Sequence, residues 1–453
     1  MFKGEISRRR FLMGSAAAAA SGYAFSSRAK ESPPNEKLNI AAIGSGGKGG
    51  DDIYNCSMEN IVALCDVDWE HRAVFAARQF PKAKKYTDFR VMLEKEDKNI
   101  DAVIVSTPDH THAVAAAMAI KMGKHVYVQK PLTHDIYEAR ALTDLARKHS
   151  VVTQMGNQGH SGIGVRRFCE MIWSGAIGTP REVHMWTHRP VWPQGLTRPA
   201  HADPVPEYLD WELWLGTAPE RPYVHKCPGK DHECYHPWYW RGWWDFGCGS
   251  LGDMGCHIMD PAYWALDLRD PAGVEVVQSV GGTAESPPTA CIVRYDFPKR
   301  GERPPITAYW YEGGLHPPRP EGIPESQVMG DIKRKGTDGT IVIGDRGVIT
   351  IGEYGDDPRL LPDALMADYA WPPEKIPRVD GTHYDDWIKA CKIGGNACSN
   401  FDYAGPFTET VLLGNLALRT GGRIEWDAEH MKVVNNPKAD DYVRREYRGG
   451  WSL

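Results

Sequence analysis

The chain lacks an excess of positive charge: 53 Lys and Arg stand against 59 Asp and Glu, a net charge of −6 over 453 residues. No basic patch of the kind that binds a phosphate backbone follows from that balance, so nucleic acid is not an expected partner. Beyond the N-terminus there is no apolar run long enough to cross a bilayer, and no membrane anchor is expected. Cysteine is sparse, ten in all. Several cysteines sit in apolar strand-like runs (Cys65, Cys291), where the residue is a small buried hydrophobe. Their scatter does not form a disulfide framework. Cys227 and Cys234 are the one close pair outside the apolar runs and the glycine-rich motif, and so the best disulfide candidate. His225, His232 and His236 interleave with them, but the spacing fits no standard zinc pattern, and no metal is expected. No internal repeat is detectable. What remains is 42% hydrophobic and 25% charged, long enough for two or three domains with real cores.

The N-terminus stands apart. Ser7-Arg8-Arg9-Arg10-Phe11-Leu12 precedes Met13-Gly14-Ser15 and the run Ala16–Ala20. A basic segment, a short weakly apolar stretch and small residues beyond it read as a signal peptide, and the arginines before Phe-Leu match the twin-arginine export pattern. The alternative is a basic, Ala-rich tail. Residues 1–36, with Ser32-Pro33-Pro34 as linker, stay out of the fold argument. The expected partner of this segment is the twin-arginine export machinery, and the expected location is the periplasm or another exported site. No Cys lies near the candidate cleavage site, which argues against a lipid anchor.

From Leu38 onward, short apolar runs alternate with amphipathic stretches. Strands are expected at Leu38–Ile43, Ile61–Cys65, Ala102–Ser106, His125–Val128 and Val151–Met155. Helices are expected at Asp51–Met58, Glu70–Gln79, His112–Met122 and Ile136–His149. Buried strands separated by helices predict a parallel sheet covered on both faces. The first strand runs into Gly44-Ser45-Gly46-Gly47-Lys48-Gly49, a G-x-G-x-x-G opening a helix, and the next strand ends in Asp66 at the spacing of the dinucleotide fingerprint. Gly44 permits the tight turn, Gly46 lets the backbone approach a pyrophosphate, and Gly49 lets helix and strand pack closely. The helix N-terminus, with Gly47 in the same loop, then holds the phosphates through free N–H groups. Asp66 should accept from the ribose hydroxyls, favouring NAD over NADP, whose 2′-phosphate would meet a carboxylate. The alternative is a glycine-rich loop with no ligand. Thr107-Pro108-Asp109-His110-Thr111-His112 and Gln129-Lys130-Pro131 fall where strands end, the edge at which such sheets bind ligands. Lys130 reads equally as a lysine beside the nicotinamide or as a solvated loop lysine.

After about residue 156 the composition changes. Trp186, Trp192, Trp211, Trp214, Trp238, Trp240, Trp243 and Trp244 crowd one region rich in Pro and Gly. Gly247 to Asp260 then opens a helix on which Asp253 and His257 sit at i and i+4. A carboxylate beside an imidazole can orient the ring for general base catalysis, or can simply be structural. Dense tryptophans stack on sugar C–H faces or anchor long loops. Trp192, Tyr239, Arg241 and His188 are the candidate sugar contacts. Gly336 to Ile349 reads as a β-hairpin, strand–turn–strand around Asp345-Arg346-Gly347, and Phe407–Thr420 reads as one amphipathic helix.

The glycine fingerprint, Thr107-Pro108 with His112, Lys130-Pro131 and Asp253-x-Gly255-x-His257 together resemble the Gfo/Idh/MocA family, named for glucose–fructose oxidoreductase and inositol dehydrogenase. The resemblance spans most of the chain from Leu38. It implies an α/β architecture: a Rossmann dinucleotide-binding domain over residues 37–156, then a substrate-binding α/β domain over 157–453 with a large open, mostly antiparallel sheet. It also implies a homo-oligomer, dimer or tetramer, and a catalytic set at Lys130, Asp253 and His257. Thr107, Pro108, His112 and Lys130 join the glycine loop and Asp66 as cofactor contacts. One departure stands out: the family usually has Glu-Lys-Pro, and this chain has Gln129.

The leading expectation is an NAD(P)-dependent oxidoreductase taking hydride from a secondary alcohol of a sugar or polyol. His257 takes the proton, Asp253 orients it, and Lys130 stabilises the alkoxide. An exported enzyme of this kind must keep its cofactor tightly bound. One rival is a redox-neutral glycosidase that oxidises a sugar transiently and eliminates the aglycone, with His188, His184 or Tyr239 as a second base. Another is a non-catalytic sugar-binding protein.

Overall fold

The computed structural model describes residues 37–227 and 231–453. The export segment, residues 1–36, lies outside them.

Six strands form the first sheet: β1 (Asn39–Ile43), β2 (Asn60–Cys65), β3 (Lys84–Tyr86), β4 (Ala102–Val105), β5 (His125–Val128) and β6 (Thr153–Met155). Their order is β3-β2-β1-β4-β5-β6, and every pairing is parallel. This is the doubly wound dinucleotide-binding order. The helices between them are α1 (Lys48–Asn55), α2 (Val74–Gln79), α3 (Phe89–Glu96), α4 (His112–Lys121) and α5 (Ile136–His149). β4 and β5 are buried along almost their whole length, as strands covered on both faces must be. β3 and α3 were not expected, because Lys84-Lys85-Tyr86 carries no apolar signal and pairs only as an edge.

The second sheet has nine strands in the order β13-β12-β11-β7-β10-β9-β8-β14-β15, where β13 is Arg359–Leu361, β14 Arg423–Asp427 and β15 Lys432–Val433; of its eight pairings, all but β7–β10 are antiparallel. Its central strands are β7 (Pro180–Trp186), β8 (Gly273–Val280), β9 (Ala290–Phe297) and β10 (Ile306–Glu312). β9 alternates buried and half-buried residues, the signature of a sheet with one face on a core. The expected hairpin is present as β11 (Gly339–Gly344) and β12 (Val348–Ile351), with Ile343 opposite Val348.

The remaining helices include α6 (Ile163–Trp173), α7 (Trp211–Leu215), α8 (Gly249–Ile258), α9 (Asp260–Leu266), α10 (His383–Ile393) and α11 (Phe401–Thr420). The last begins at Phe401 rather than Phe407, because Asn400 caps it by accepting from the Asp402 N–H at 3.0 Å. It is also buried on nearly every side, wedged between α5, α8 and β8, so it is a core helix and not an amphipathic one. α10 returns to the first domain: Tyr384, Trp387 and Ile388 pack with Ile40, Ala42 and Leu64 of the first sheet. One face of the Rossmann sheet is therefore covered by a helix from the far end of the chain.

Candidate active site

At the end of β1 the chain turns through Gly44 at φ +80°, a left-handed conformation that a side chain would strain. A Cβ on Gly49 would overlap the Gly44 carbonyl, so this helix can begin beside its strand only with glycine there. Asp66, just past β2, accepts from the Ser45 N–H at 2.7 Å and the Gly46 N–H at 3.1 Å, and from the Asp68 N–H at 2.9 Å. Burial pushes its carboxyl up to about 6, against the lowering effect of those three donors. The glycine loop and Asp66 line one end of a cavity of about 250 Å³ that runs past Thr107 and Pro108 to Lys130, Arg241 and Asp253. The hydroxyl of Thr107 is buried on this wall without a partner among the described residues. A cradle that excludes Cβ atoms, a carboxylate at the end of β2 and an unfilled hydroxyl fit a dinucleotide.

The Asp66 carboxyl gives a pH prediction. Ionised Asp66 is the form that would accept from a ribose hydroxyl, and its value near 6 lies above that of an unfolded Asp. Binding below that value must first remove a proton. NADH affinity is therefore expected to rise from about pH 5 to about pH 7 and then level off. Asp66→Ala should flatten this rise, weaken NADH and tolerate NADPH better, measured by nucleotide fluorescence titration. Tighter native binding of NADPH than of NADH refutes the role.

At the other end of the cavity, Lys130 follows β5 and its Nζ donates to Asp253 Oδ1 at 2.8 Å and to the Asp253 carbonyl at 3.0 Å. Arg241 Nε donates to the same Oδ1 at 3.4 Å. Burial opposes ionisation of Asp253, but Lys130 and Arg241 outweigh it and hold the carboxyl well below the usual range. The expected Asp253–His257 hydrogen bond is not formed. Two cations claim the carboxylate, and the buried Nδ1 of His257 has no partner among the described residues. The imidazole packs edge-on against Tyr354 at 4.9 Å. Burial first, and Lys130 second, push it down to about 3, so it is a neutral ring with a lone pair at physiological pH.

The remaining expected contacts divide. Arg241 is sandwiched between Trp238 and Trp240, at 4.1 and 4.2 Å from the ring centroids. Trp214, Trp238 and Trp240 line the cavity. Trp192, Tyr239 and His188 do not. Trp192 is buried and donates from Nε1 to Gln194 at 3.0 Å; Tyr239 packs on His232; His188 is held by Asp338 at 2.8 Å. His184 is tied to Glu182 and Tyr311. His112 is buried, with its ring nitrogens 2.9 and 2.8 Å from the Pro131 and Thr107 carbonyls. It fixes the two loops against each other rather than reaching the cavity. Cys227 and Cys234 do come together, with sulfurs 2.7 Å apart. No described cluster of His, Cys, Asp or Glu is arranged to hold a metal. Trp451 lines the cavity from the chain's other end, stacked under Arg90 at 4.4 Å; no local pattern marks it.

Residues 38–157 match the oxidoreductase family's NAD-binding Rossmann fold, and residues 161–286 match its C-terminal alpha/beta domain. The chain belongs to the Gfo/Idh/MocA oxidoreductase family. The Rossmann fold it matches is the family's NAD-binding one. Inositol 2-dehydrogenase of Serratia proteamaculans is 29% identical over 186 residues, 39% of this chain and 54% of the relative. Glycosyl hydrolase family 109 protein 2 of Akkermansia muciniphila is 28% identical over 160 residues, 33% of each chain. The chain thus spans about half the length, or less, of these curated relatives. An inositol dehydrogenase homologue of Azotobacter vinelandii, solved with NADH and myo-inositol, shares the fold at a TM-score of 0.52 and 16% identity, covering 86% of this chain and 98% of that one.

Proposed function

We propose that this family member oxidises a secondary alcohol of a sugar or polyol with NAD. The observation that carries the reading is the Lys130 ammonium locked on Asp253 at the far end of the cavity that begins at the glycine loop. When bound, the nicotinamide supplies the hydride acceptor. The Gly44–Gly49 loop and the α1 N-terminus hold the phosphates, and Asp66 holds the adenosine ribose. Lys130 presents a positive charge to the substrate oxygen and stabilises it as the O–H proton leaves. His257, neutral and with an unused nitrogen, accepts that proton. Asp253 keeps Lys130 and Arg241 in place. Arg241, stacked between two indoles, offers its remaining N–H groups to hydroxyls. Retention of the Lys130, Asp253 and His257 set argues against a purely binding role.

A second reading, redox-neutral cleavage of a glycoside through a transient ketone, is favoured by the similarity to the family 109 hydrolase. That route needs a further base, and His184, His188 and Tyr239 are each occupied elsewhere. Incubation with myo-inositol, levoglucosan and aryl glycosides separates the two. Accumulating NADH with an oxidised polyol supports the dehydrogenase; released aglycone without net NADH supports the hydrolase; neither product overturns both.

We further propose export by the twin-arginine route with cofactor already bound, because that machinery carries folded proteins. Support lies in Arg8-Arg9-Arg10-Phe11-Leu12 alone. Finding only unprocessed protein in the cytoplasmic fraction would count against it. A dimer or tetramer built on the open second sheet is the matching proposal for assembly, tested by light scattering.

A further inference from the structure

Residue 129 follows β5 and immediately precedes Lys130, and it is buried, 5% exposed. Gln129 Nε2 donates to both oxygens of Asp52 at 3.0 and 2.9 Å. Its Oε1 accepts the Lys130 backbone N–H at 3.3 Å. Asp52, on α1, is fully buried. It also accepts from Lys48 Nζ at 2.7 Å, Ser106 Oγ at 2.7 Å and the Tyr384 hydroxyl at 2.6 Å. These donors come from the glycine loop, the end of β4, the end of β5 and α10. One buried carboxylate therefore joins four segments that meet behind the cofactor cleft. A buried carboxylate survives only when paired and hydrogen-bonded, and Asp52 is both.

This arrangement explains the amide at 129. A carboxylate only accepts and a backbone N–H only donates, so a residue between Asp52 and the Lys130 N–H must do both. Glutamine can. An ionised glutamate would set two carboxylates about 3 Å apart in a dry site, where they cannot both stay ionised. We infer that Asp52 supplies the negative charge behind the Lys130 loop, and that it acts as a positioning residue, orienting that loop through the Gln129 amide. Its bearing on catalysis rests on the reading of Lys130 as the cation that meets the substrate oxygen.

The charged and titratable groups facing Asp52 are Lys48 and Tyr384 in direct contact, Tyr127 stacked on Tyr384 at 5.2 Å, and the buried thiol of Cys56, which feels the Asp52 charge. None of them is changed by the variants that test the inference. Gln129→Glu, Asp52→Asn and the double variant are compared with the wild type by thermal melting from about pH 5 to about pH 8. In Gln129→Glu the new carboxyl shares a proton with Asp52, so its folded pKa lies above its unfolded one. The cost is absent in acid and grows as pH rises through the folded value. Gln129→Glu should melt close to the wild type at about pH 5 and lower by roughly 3–6 °C at about pH 8. The double variant restores one acceptor and one amide, and should lose that pH dependence.

Wild-type melting of Gln129→Glu at every pH, or a double variant no better than it, overturns the inference. If Gln129→Glu does not fold, folding of the double variant supports the inference and its failure overturns it. Turnover with the polyol that reduces the cofactor should fall about tenfold or more in each single variant and largely return in the double. Unchanged turnover in both singles removes the positioning role. The melting pattern is independent of any reaction, so its presence in a protein that oxidises no polyol overturns the dehydrogenase reading instead.

Discussion

Lys130→Ala and His257→Ala are each expected to lower turnover by about 10² to 10⁴ while leaving a folded protein that still binds NADH. The loop proposed to hold the phosphates is Gly44–Gly49, and neither side chain belongs to it. Both groups are proposed to serve the same oxygen, so their losses should not add in the double variant. Lys130→Ala also strips Asp253 of its nearer cation, leaving Arg241 at 3.4 Å as the remaining partner. Asp253→Asn should therefore follow Lys130→Ala rather than His257→Ala, because the carboxylate holds the lysine and not the imidazole. Turnover measured beside NADH fluorescence checks all three. Near-normal turnover in Lys130→Ala or His257→Ala sinks the assignment, and joint loss of cofactor and turnover makes the residue structural.

Gly49→Ala is expected to weaken NADH binding roughly 10- to 100-fold, the scale of one or two lost hydrogen bonds to a charged phosphate. The added methyl would overlap the carbonyl of Gly44 and press towards the Ser106 Cβ at 3.2 Å. Relief requires α1 to move off β1, and the N–H groups at its start move with it. The Gly44 N–H is itself fixed by the Cys65 carbonyl at 2.9 Å, so the turn cannot easily yield instead. Overpacking of this kind costs about 1–3 kcal/mol, so a lower melting temperature should accompany the weaker binding. Calorimetric titration with NADH measures the first effect and thermal melting the second. Wild-type affinity in Gly49→Ala would show that the loop does not carry the phosphates.

The first domain was legible because its signals are local. Apolar runs mark strands whose both faces are buried, and the glycine spacing followed by Asp66 reports a turn and a helix start that only glycine can make. β3 and α3 escaped notice because an edge strand of Lys84-Lys85-Tyr86 needs no apolar pattern. The second domain yielded its hairpin and the Asp253–His257 helix, yet the partner of Asp253 was misjudged. Helical spacing places two side chains on one face, but it says nothing of a lysine arriving from another strand. Of the candidate sugar contacts, Arg241 lines the cavity and Trp192, Tyr239 and His188 do not, for a related reason. Indoles and imidazoles look alike in a sequence whether they face a ligand or, like Trp192 and His188, spend their polar atoms on Gln194 and Asp338.

By itself, then, the sequence determined the dinucleotide fold, its glycine loop and the acidic residue just past β2, since each rests on backbone sterics or on periodicity within one element. Only the tertiary structure decided what those residues touch. It placed Lys130 on Asp253 across 123 positions, brought Tyr384 to Asp52 across 332, and laid Trp451 against Arg90 at the rim of the cleft. The physical reason is that burial and charge act through space: a carboxylate's partner is the nearest cation in the folded chain, and distance along the sequence does not enter.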